Sequence, residues 1–457
     1  MRISWFRSGP LHACRKPGSG RSCLASLIGA AFVLSALLAQ SATAADSPIV
    51  VLTSYPEELT SAYEKAFEQT HPGTDVQIVW QQGRDAIATL KKPDHGGVDV
   101  YWAPALFNFP ALAQTGTFEK RDVDRKQVPG RIGAQPISDP NGYFEAFEVA
   151  GYGIVTNPAL LKSRGIAPPK SWDDLAQPAY SGLVVMPIAS RIGFSPQLYD
   201  IILQGTGWDK GWALLSEMAG NATLTAKGGE IADNVADGKA GAAIAIDFLI
   251  RNAISDGKPV SLVYPAGTAF LPAYAAVVAS APHAEGAREF ASFLVSDSGQ
   301  GLLFAPGAAR YPIRPSVYAR APQGTVNPFA LPNGATFAYD LNLGPARSPI
   351  ISALFDSAIA ARAERLKGMW AAIHQAEAKA KSQAARDEIA QARSLAGWVP
   401  VTAAEASDLS YLQQFEPQGK NMNPAAAALV GNWAAQMDEK QTQALRLAQN
   451  ALGAATP

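Results

Sequence analysis

Residues 171–199 read SWDDLAQPAYSGLVVMPIASRIGFSPQLY. The spacing predicts a short Trp-bearing helical turn over 171–176, followed by Pro178 and a Tyr180-Ser181-Gly182 turn. The apolar run 183–186 has the length and composition of a strand. It ends in a loop of small and polar residues: Pro187, Ala189, Ser190, Arg191, Gly193 and Ser195. Leu198, Ile201, Ile202 and Leu203 then fall at helical spacing. A strand, a polar loop and a helix start form the arrangement with which α/β proteins build anion sites, because free backbone N–H groups and the positive end of the helix dipole point into the loop. Ser190 and Ser195 offer hydroxyls, and Arg191 offers a planar fork of donors. Without a ligand the same loop is a solvated connection that touches nothing, and the loop alone does not separate the two readings.

Upstream, the same alternation repeats. Strands are predicted over 49–53, 76–80 and 98–102, and helical periodicity follows each, through Leu59, Tyr63 and Phe67 after the first and through Ile87 and Leu90 after the second. A β-α-β-α-β-α run implies a mostly parallel sheet with helices on its faces. Ligands on such sheets sit at the carboxyl ends of the strands, which places Ser54, Tyr55, Gln82, Gly83, Arg84 and Ala103 near one crevice. A longer strand is expected over 145–156 and opens a second α/β unit that contains the 171–199 stretch. There a helix over 207–218 carries Trp208 and Trp212 on one face, read as core packing. A small-residue strand over 241–246 ends at Asp247, a position open both to ligand contact and to a structural hydrogen bond. A strand over 274–279 and an amphipathic helix over 284–295 return to the first unit. The expected organisation is one lobe at 46–148 plus 270–325, a second at 149–269 and a helical segment at 326–457. Within that last segment Ile351, Phe355, Ile359, Leu366, Met369, Trp370 and Ile373 keep helical spacing over some six turns, and the segment is expected to buttress the first lobe.

The chain has 457 residues and a formal charge of −1. Residues 1–44 read as a secretory signal: a basic stretch with Arg2, Arg7, Arg15, Lys16 and Arg21, an apolar core over 24–38, and Ala42-Thr43-Ala44 as the cleavage site. That segment carries five of the 38 basic residues and no acidic ones, so the remainder has 33 basic against 39 acidic residues, a net charge of −6. It also carries both cysteines, Cys14 and Cys23, which leaves no thiol for a disulfide, a nucleophile or a metal site. The acidic balance and the lack of a basic run argue against nucleic acid as a partner. No HExxH, phosphate-binding P-loop, GxSxG or EF-hand pattern occurs. His71, His95, His283 and His374 are scattered. Asp173-Asp174 reads as the acidic start of a helix. No catalytic triad or acid–base pair stands out, so the chain reads as a binder, with no cofactor and no metal.

Three runs carry a family resemblance: Ser171-Trp172-Asp173-Asp174-Leu175 with Pro178-Ala179-Tyr180-Ser181-Gly182; Ala287, Phe290, Phe293-Leu294-Val295-Ser296 and Gly299-Gln300; and Tyr311-Pro312-Ile313-Arg314. Over residues 48–320 the chain resembles the periplasmic solute-binding proteins of ABC importers, in the subgroup of ferric-iron and phosphonate binders. The resemblance implies an α/β, two-lobed periplasmic-binding-protein fold with a hinge, here with an all-helical C-terminal extension. It implies a periplasmic, non-enzymatic monomer that takes a small anionic solute and meets a membrane ABC permease. Where iron-binding relatives carry Tyr-Tyr, this chain has Phe248-Leu249, which removes the hard phenolate ligands that ferric iron prefers. The loop 189–195 corresponds to the anion-holding loop of phosphate-ester binders, with Arg191 and Phe194 interposed. The expected ligand is therefore a phosphorylated three-carbon acid or a similar organophosphate, paired with Arg191 and Arg84 and hydrogen-bonded by Ser190 and Ser195. Gly207-Trp208, Gly211-Trp212 and the tail over 354–377 are similar to members of the subgroup that serve phosphoglycerate uptake. For these a sensing role with a membrane histidine kinase is the alternative to delivery, and ferric-iron binding is the other.

Overall fold

The computed structural model describes residues 47–332, 335–417 and 422–454, and the expected signal segment lies outside them. The first run is β1 (Ile49–Thr53), α1 (Glu57–Thr70), β2 (Val76–Trp80), α2 (Arg84–Leu90), β3 (Val100–Ala103) and α3 (Asn108–Ala113). A hairpin of β4 (Arg131–Ile132) and β5 (Gln135–Pro136) precedes the long strand β6 (Glu145–Thr156) and α4 (Pro158–Ser163). The 171–199 stretch resolves into two short 3-10 turns, then β7 (Val184–Pro187) and the start of α5 (Ser195–Thr206). After it come α6 (Trp208–Gly220), β8 (Ala222–Thr225), α7 (Ile231–Ala236), β9 (Ala242–Ile246), α8 (Asp247–Ser255) and β10 (Ser261–Val263). The chain returns through β11 (Phe270–Val277), α9 (Ala284–Leu294), α10 (Asp297–Gly301) and β12 (Tyr311–Pro312). The rest is helical: α11 (Leu343–Ala358), α12 (Ala363–Lys379), α13 (Gln383–Ala396), α14 (Leu409–Gln413) and α15 (Pro424–Ala454).

Local chemistry sets these boundaries. Pro158 opens α4, and the Asn157 side chain accepts from the Leu160 N–H at 3.0 Å, which satisfies one of the free donors of the first turn. Gly207 sits between α5 and α6 at φ 89°, a left-handed turn that glycine adopts at little cost.

The main sheet runs β2-β1-β3-β11-β6-β9-β7-β8, with β10 and β12 also on β6. β2, β1 and β3 are parallel, as are β8, β7 and β9. β11 is antiparallel to β3 and to β6, so β3 and β6 run the same way, whereas β9 runs against β6. The register then decides where the strand ends fall. Ala103, the last residue of β3, pairs with Tyr274, and Tyr274 pairs with Ala146 of β6. Ile246, the last residue of β9, pairs with Tyr152 of β6. The carboxyl ends of both parallel sets therefore point at each other over residues 146–152 of one strand. The boundary expected at 148/149 falls inside that segment.

Each half of the sheet is covered on both faces. In the β1–β3 half, Leu59, Tyr63 and Phe67 of α1 and Phe290 and Leu294 of α9 fill one face, while Leu90, Phe109 and Leu112 fill the other. In the β7–β9 half, Ile231, Val235 and Ile250 cover one face. The opposite face is covered by α5 and α6 together with the extension: Leu198, Ile202, Trp212 and Leu215 share one buried cluster with Leu354, Phe355, Met369, Trp370 and Ile389.

This corrects two expectations. The helices of the extension pack chiefly on the second lobe, because the apolar outer face of α5 and α6 is what they cover, while Val326, Phe329 and Leu331 lie against the first. Trp208 and Trp212 are indeed core, and the Trp208 indole donates to the Val401 carbonyl at 2.8 Å. The predicted six-turn helix is also two helices, broken at residues 359–362. Arg362 sits there at φ −126° and donates to the carbonyls of Ser357 and Ala434, taking up a free acceptor at the end of α11.

Candidate functional site at the facing strand ends

The residues read from the sequence divide into a rim and a floor. On the rim, Gln82, Gly83 and Arg84 follow β2, Ser190 and Arg191 follow β7, and all five are exposed. Ser54, after β1, is half-buried. Arg84 donates to the Pro417 carbonyl of the extension at 3.2 Å, so it touches a neighbour that sequence spacing did not reveal.

The other four are buried. Ala103 is the last strand residue of β3 and contributes only its methyl group to the core beneath. Tyr55 is fully buried, its ring 5.0 Å from that of Trp102, and its hydroxyl donates to Glu148 Oε1 at 2.7 Å. Its phenol is thus engaged inside the fold. Ser195 opens α5 fully buried, and among the described residues its hydroxyl oxygen has no partner. Asp247 begins α8 instead of ending β9, and its Oδ2 accepts from the Gly151 N–H at 2.6 Å and from the Tyr264 hydroxyl at 2.8 Å. Of its two possible roles the structure shows the hydrogen-bonding one.

Where the strand ends face each other lies a charged network that sequence reading missed. Arg310, 9% exposed, donates to Glu148 Oε1 at 2.7 Å. Its guanidinium lies 5.2 Å from the ring centre of Tyr55, after β1, and 4.4 Å from that of Phe248, on α8. It therefore bridges the strand ends of the two lobes. Both donors to Glu148 use the same oxygen, and among the described residues Oε2 is buried without a partner. Arg251 of α8 covers the ring of Tyr311 at 3.9 Å and donates to the Ala309 carbonyl at 2.9 Å.

Burial pushes the Glu148 carboxyl above its ordinary value, with Arg310 and the Tyr55 hydroxyl opposing. Burial alone would lower Arg310, but Glu148 beside it holds it firmly protonated. Burial pushes the Asp247 carboxyl up to about 7, against Arg251 and the two hydrogen bonds it accepts. The network thus sets the guanidiniums of Arg310 and Arg251 against the carboxyls of Glu148 and Asp247, both of which burial pushes toward the neutral form. A signal for Glu148 was present: it is a charged residue inside a strand buried on both faces, EAFEVAGYGIVT.

Residues 108–332 match the family described as bacterial extracellular solute-binding protein. Over 275 residues the chain is 31% identical to the phosphoglycerate transport regulatory protein PgtC of Salmonella typhimurium and, equally, of Salmonella typhi. The match covers 59% of this chain and 66% of each relative. The fold is similar to that of AfuA from Actinobacillus pleuropneumoniae with exogenous fructose-6-phosphate bound, with a TM-score of 0.53 and 20% identity over 68% of this chain and 98% of that one. It is similar also to Trichodesmium IdiA (FutA) in complex with iron and citrate, with a TM-score of 0.54 and 18% identity over 68% of this chain and 98% of that one. Residues 108–332 of this chain thus match the bacterial extracellular solute-binding family, and the chain shares the two-lobed fold of the periplasmic binding proteins it is similar to.

Proposed function

We propose that this chain is the exported solute-binding component of an ABC transport system and that it holds a small anionic organophosphate, phosphoglycerate-like, between its lobes. The observation that carries this reading is the buried Arg310, set between Tyr55 after β1 and Phe248 on α8; Arg191 and Arg84, exposed after β7 and β2, would add their charge. A guanidinium matches a phosphate or carboxylate group with two parallel hydrogen bonds. Ser190, Ser195 and the backbone N–H groups at the start of α5 would complete the cage. Ser54, Gln82 and Gly83 would approach the solute from the other lobe.

The names of the Salmonella relatives support a phosphorylated three-carbon acid, and the sugar phosphate bound to AfuA fits the same anion chemistry. Ferric iron is disfavoured on this chain's own residues. Phe248 and Leu249, which follow Asp247 in the first turn of α8, bring no oxygen ligand, and the Arg310 charge over Phe248 repels a cation. Hinge closure on the anion would give a membrane permease a loaded form to distinguish from the empty one.

The test is a thermal-shift panel of 3-phosphoglycerate, 2-phosphoglycerate, phosphoenolpyruvate, phosphate, citrate and ferric iron. A ligand at a hundred times its Kd adds about 2.7 kcal/mol. A shift with the phosphorylated acids is expected. A shift with ferric iron alone overturns the reading.

A further inference from the structure

We infer that Arg310 anchors the anion's charge on the crevice floor and that Glu148 is its resident counter-ion, taking up a proton from solvent when the anion displaces it. The inference rests on the anionic-solute reading above and adds the residue and the proton to it.

Three observations carry it. Arg310 contacts both lobes, through the Tyr55 ring after β1 and the Phe248 ring on α8, so an anion drawn to it sits where closure brings the lobes together. The Arg310–Glu148 pair is single-stranded: one oxygen, Oε1, serves both Arg310 and Tyr55, although a guanidinium and a carboxylate can form two parallel bonds. The second oxygen is buried and, among the described residues, without a partner, so the carboxylate is held at less than its full bonding capacity.

The groups facing Glu148 are Tyr55 after β1, Tyr63 on α1, Asp247 and Arg251 on α8, and Arg310 before β12. Tyr55 and Tyr63 are driven further toward the neutral form by burial and by Glu148. Two of the remaining groups are cations and one is a second carboxylate. When an incoming phosphate takes the fork of Arg310, Glu148 must share that charge with a second anion in a site with little water. Only Arg251 then faces it undivided, with the Asp247 carboxyl opposing, and protonating the buried Glu148 carboxylate relieves the conflict. The balance is simple. An O–H bond forms at Oε2, the proton comes from solvent, Tyr55 keeps its hydrogen bond to Oε1, and no bond in the solute changes.

The experiment is calorimetric titration of 3-phosphoglycerate into the full chain in two buffers of different ionisation enthalpy, which counts protons taken up per anion bound. Wild type is expected to take up as much as about one proton per anion, with affinity rising as pH falls. Glu148→Gln separates the Glu148 proton from any on the phosphate itself: its affinity should vary less with pH than that of wild type, and it should lose the excess uptake. If Glu148→Gln binds and takes up as many protons as wild type, the inference is overturned while the anionic-solute reading stands. If no organophosphate saturates the wild type, both are overturned. Should Glu148→Gln not fold, Arg310→Lys decides: it should weaken binding about tenfold or more, through loss of the bidentate fork, and unchanged affinity overturns the anchor.

Discussion

The Tyr339 hydroxyl donates to Asp200 Oδ2 at 2.7 Å in the buried seam between the C-terminal segment and helix α5. Arg347 of α11 faces the other oxygen of Asp200 at 3.5 Å and donates to the Ala406 carbonyl at 2.6 Å. The Tyr339 N–H donates to Gln135 Oε1 of the β4–β5 hairpin at 2.6 Å, so one residue fastens α5 to the first part of the chain as well. α5 is the helix that begins at the loop after β7. The extension therefore holds in place the helix that starts at that loop.

Breaking that seam leaves a buried charge without its partner. Arg347→Met should cost about 3–5 kcal/mol, read as a lowered midpoint in urea denaturation. A loss below about 1 kcal/mol would mean that the seam does not carry this part of the fold.

Removing the extension has a larger consequence. A chain ending at residue 325 exposes Trp208, Trp212, Leu215 and Met218, which share a core with α11–α15. Exposed apolar surface on that scale drives association. The shortened chain should aggregate or bind a hydrophobic dye, measured by light scattering and ANS fluorescence. A soluble shortened chain that unfolds cooperatively and still binds the anion would contradict the shared core.

Asp247 predicts a pH signature. Its carboxyl, ordinarily near 3.8, is raised by burial to about 7 in the fold. A raised carboxyl favours the protonated folded state, so its contribution is fully present below 3.8 and is lost as pH climbs through 7. Asp247→Asn keeps an oxygen to accept from Gly151 and Tyr264 but cannot ionise. Its stability should gain on wild type between about pH 4 and pH 8, by at most about 4 kcal/mol. Parallel curves for the two proteins over that range would show that Asp247 is not held neutral.

The loop after β7 can be divided by two substitutions. Arg191 is exposed, so Arg191→Ala should leave stability within about 0.5 kcal/mol and weaken the anion about tenfold through a lost charge-assisted bond. Ser195→Ala removes a buried hydroxyl whose oxygen has no partner among the described residues. The empty protein should be as stable or slightly more stable, while binding weakens. A Ser195→Ala protein that is less stable and binds normally would assign the hydroxyl to the fold instead.

How much of this was legible depends on the range of the interaction. Strand-and-helix alternation is local, so 145–156 and 76–80 were readable at their ends, and the crevice followed from the parallel order. The exposure of Arg84, Ser190 and Arg191 was legible too, because they lie just past apolar strands. The floor was not: Glu148 meets Tyr55 across 93 positions and Arg310 across 162, and no local pattern encodes such pairing. Arg310 stood next to a noticed motif, Tyr311-Pro312-Ile313-Arg314, yet only the register of β12 on Val149 and Glu148 brings it to the crevice. The lobe that the extension covers was likewise illegible, since periodicity reports an apolar face and not its partner.

The most direct test of the central claim, that a positively charged floor between two lobes holds a small anion, is a calorimetric titration of 3-phosphoglycerate into wild type and Arg310→Ala at matched stability. The account predicts one-site saturation by wild type and a loss of about a hundredfold or more in the variant. Equal affinities would contradict the floor as the binding site, and saturation by ferric iron with none by any phosphorylated acid would contradict the anion.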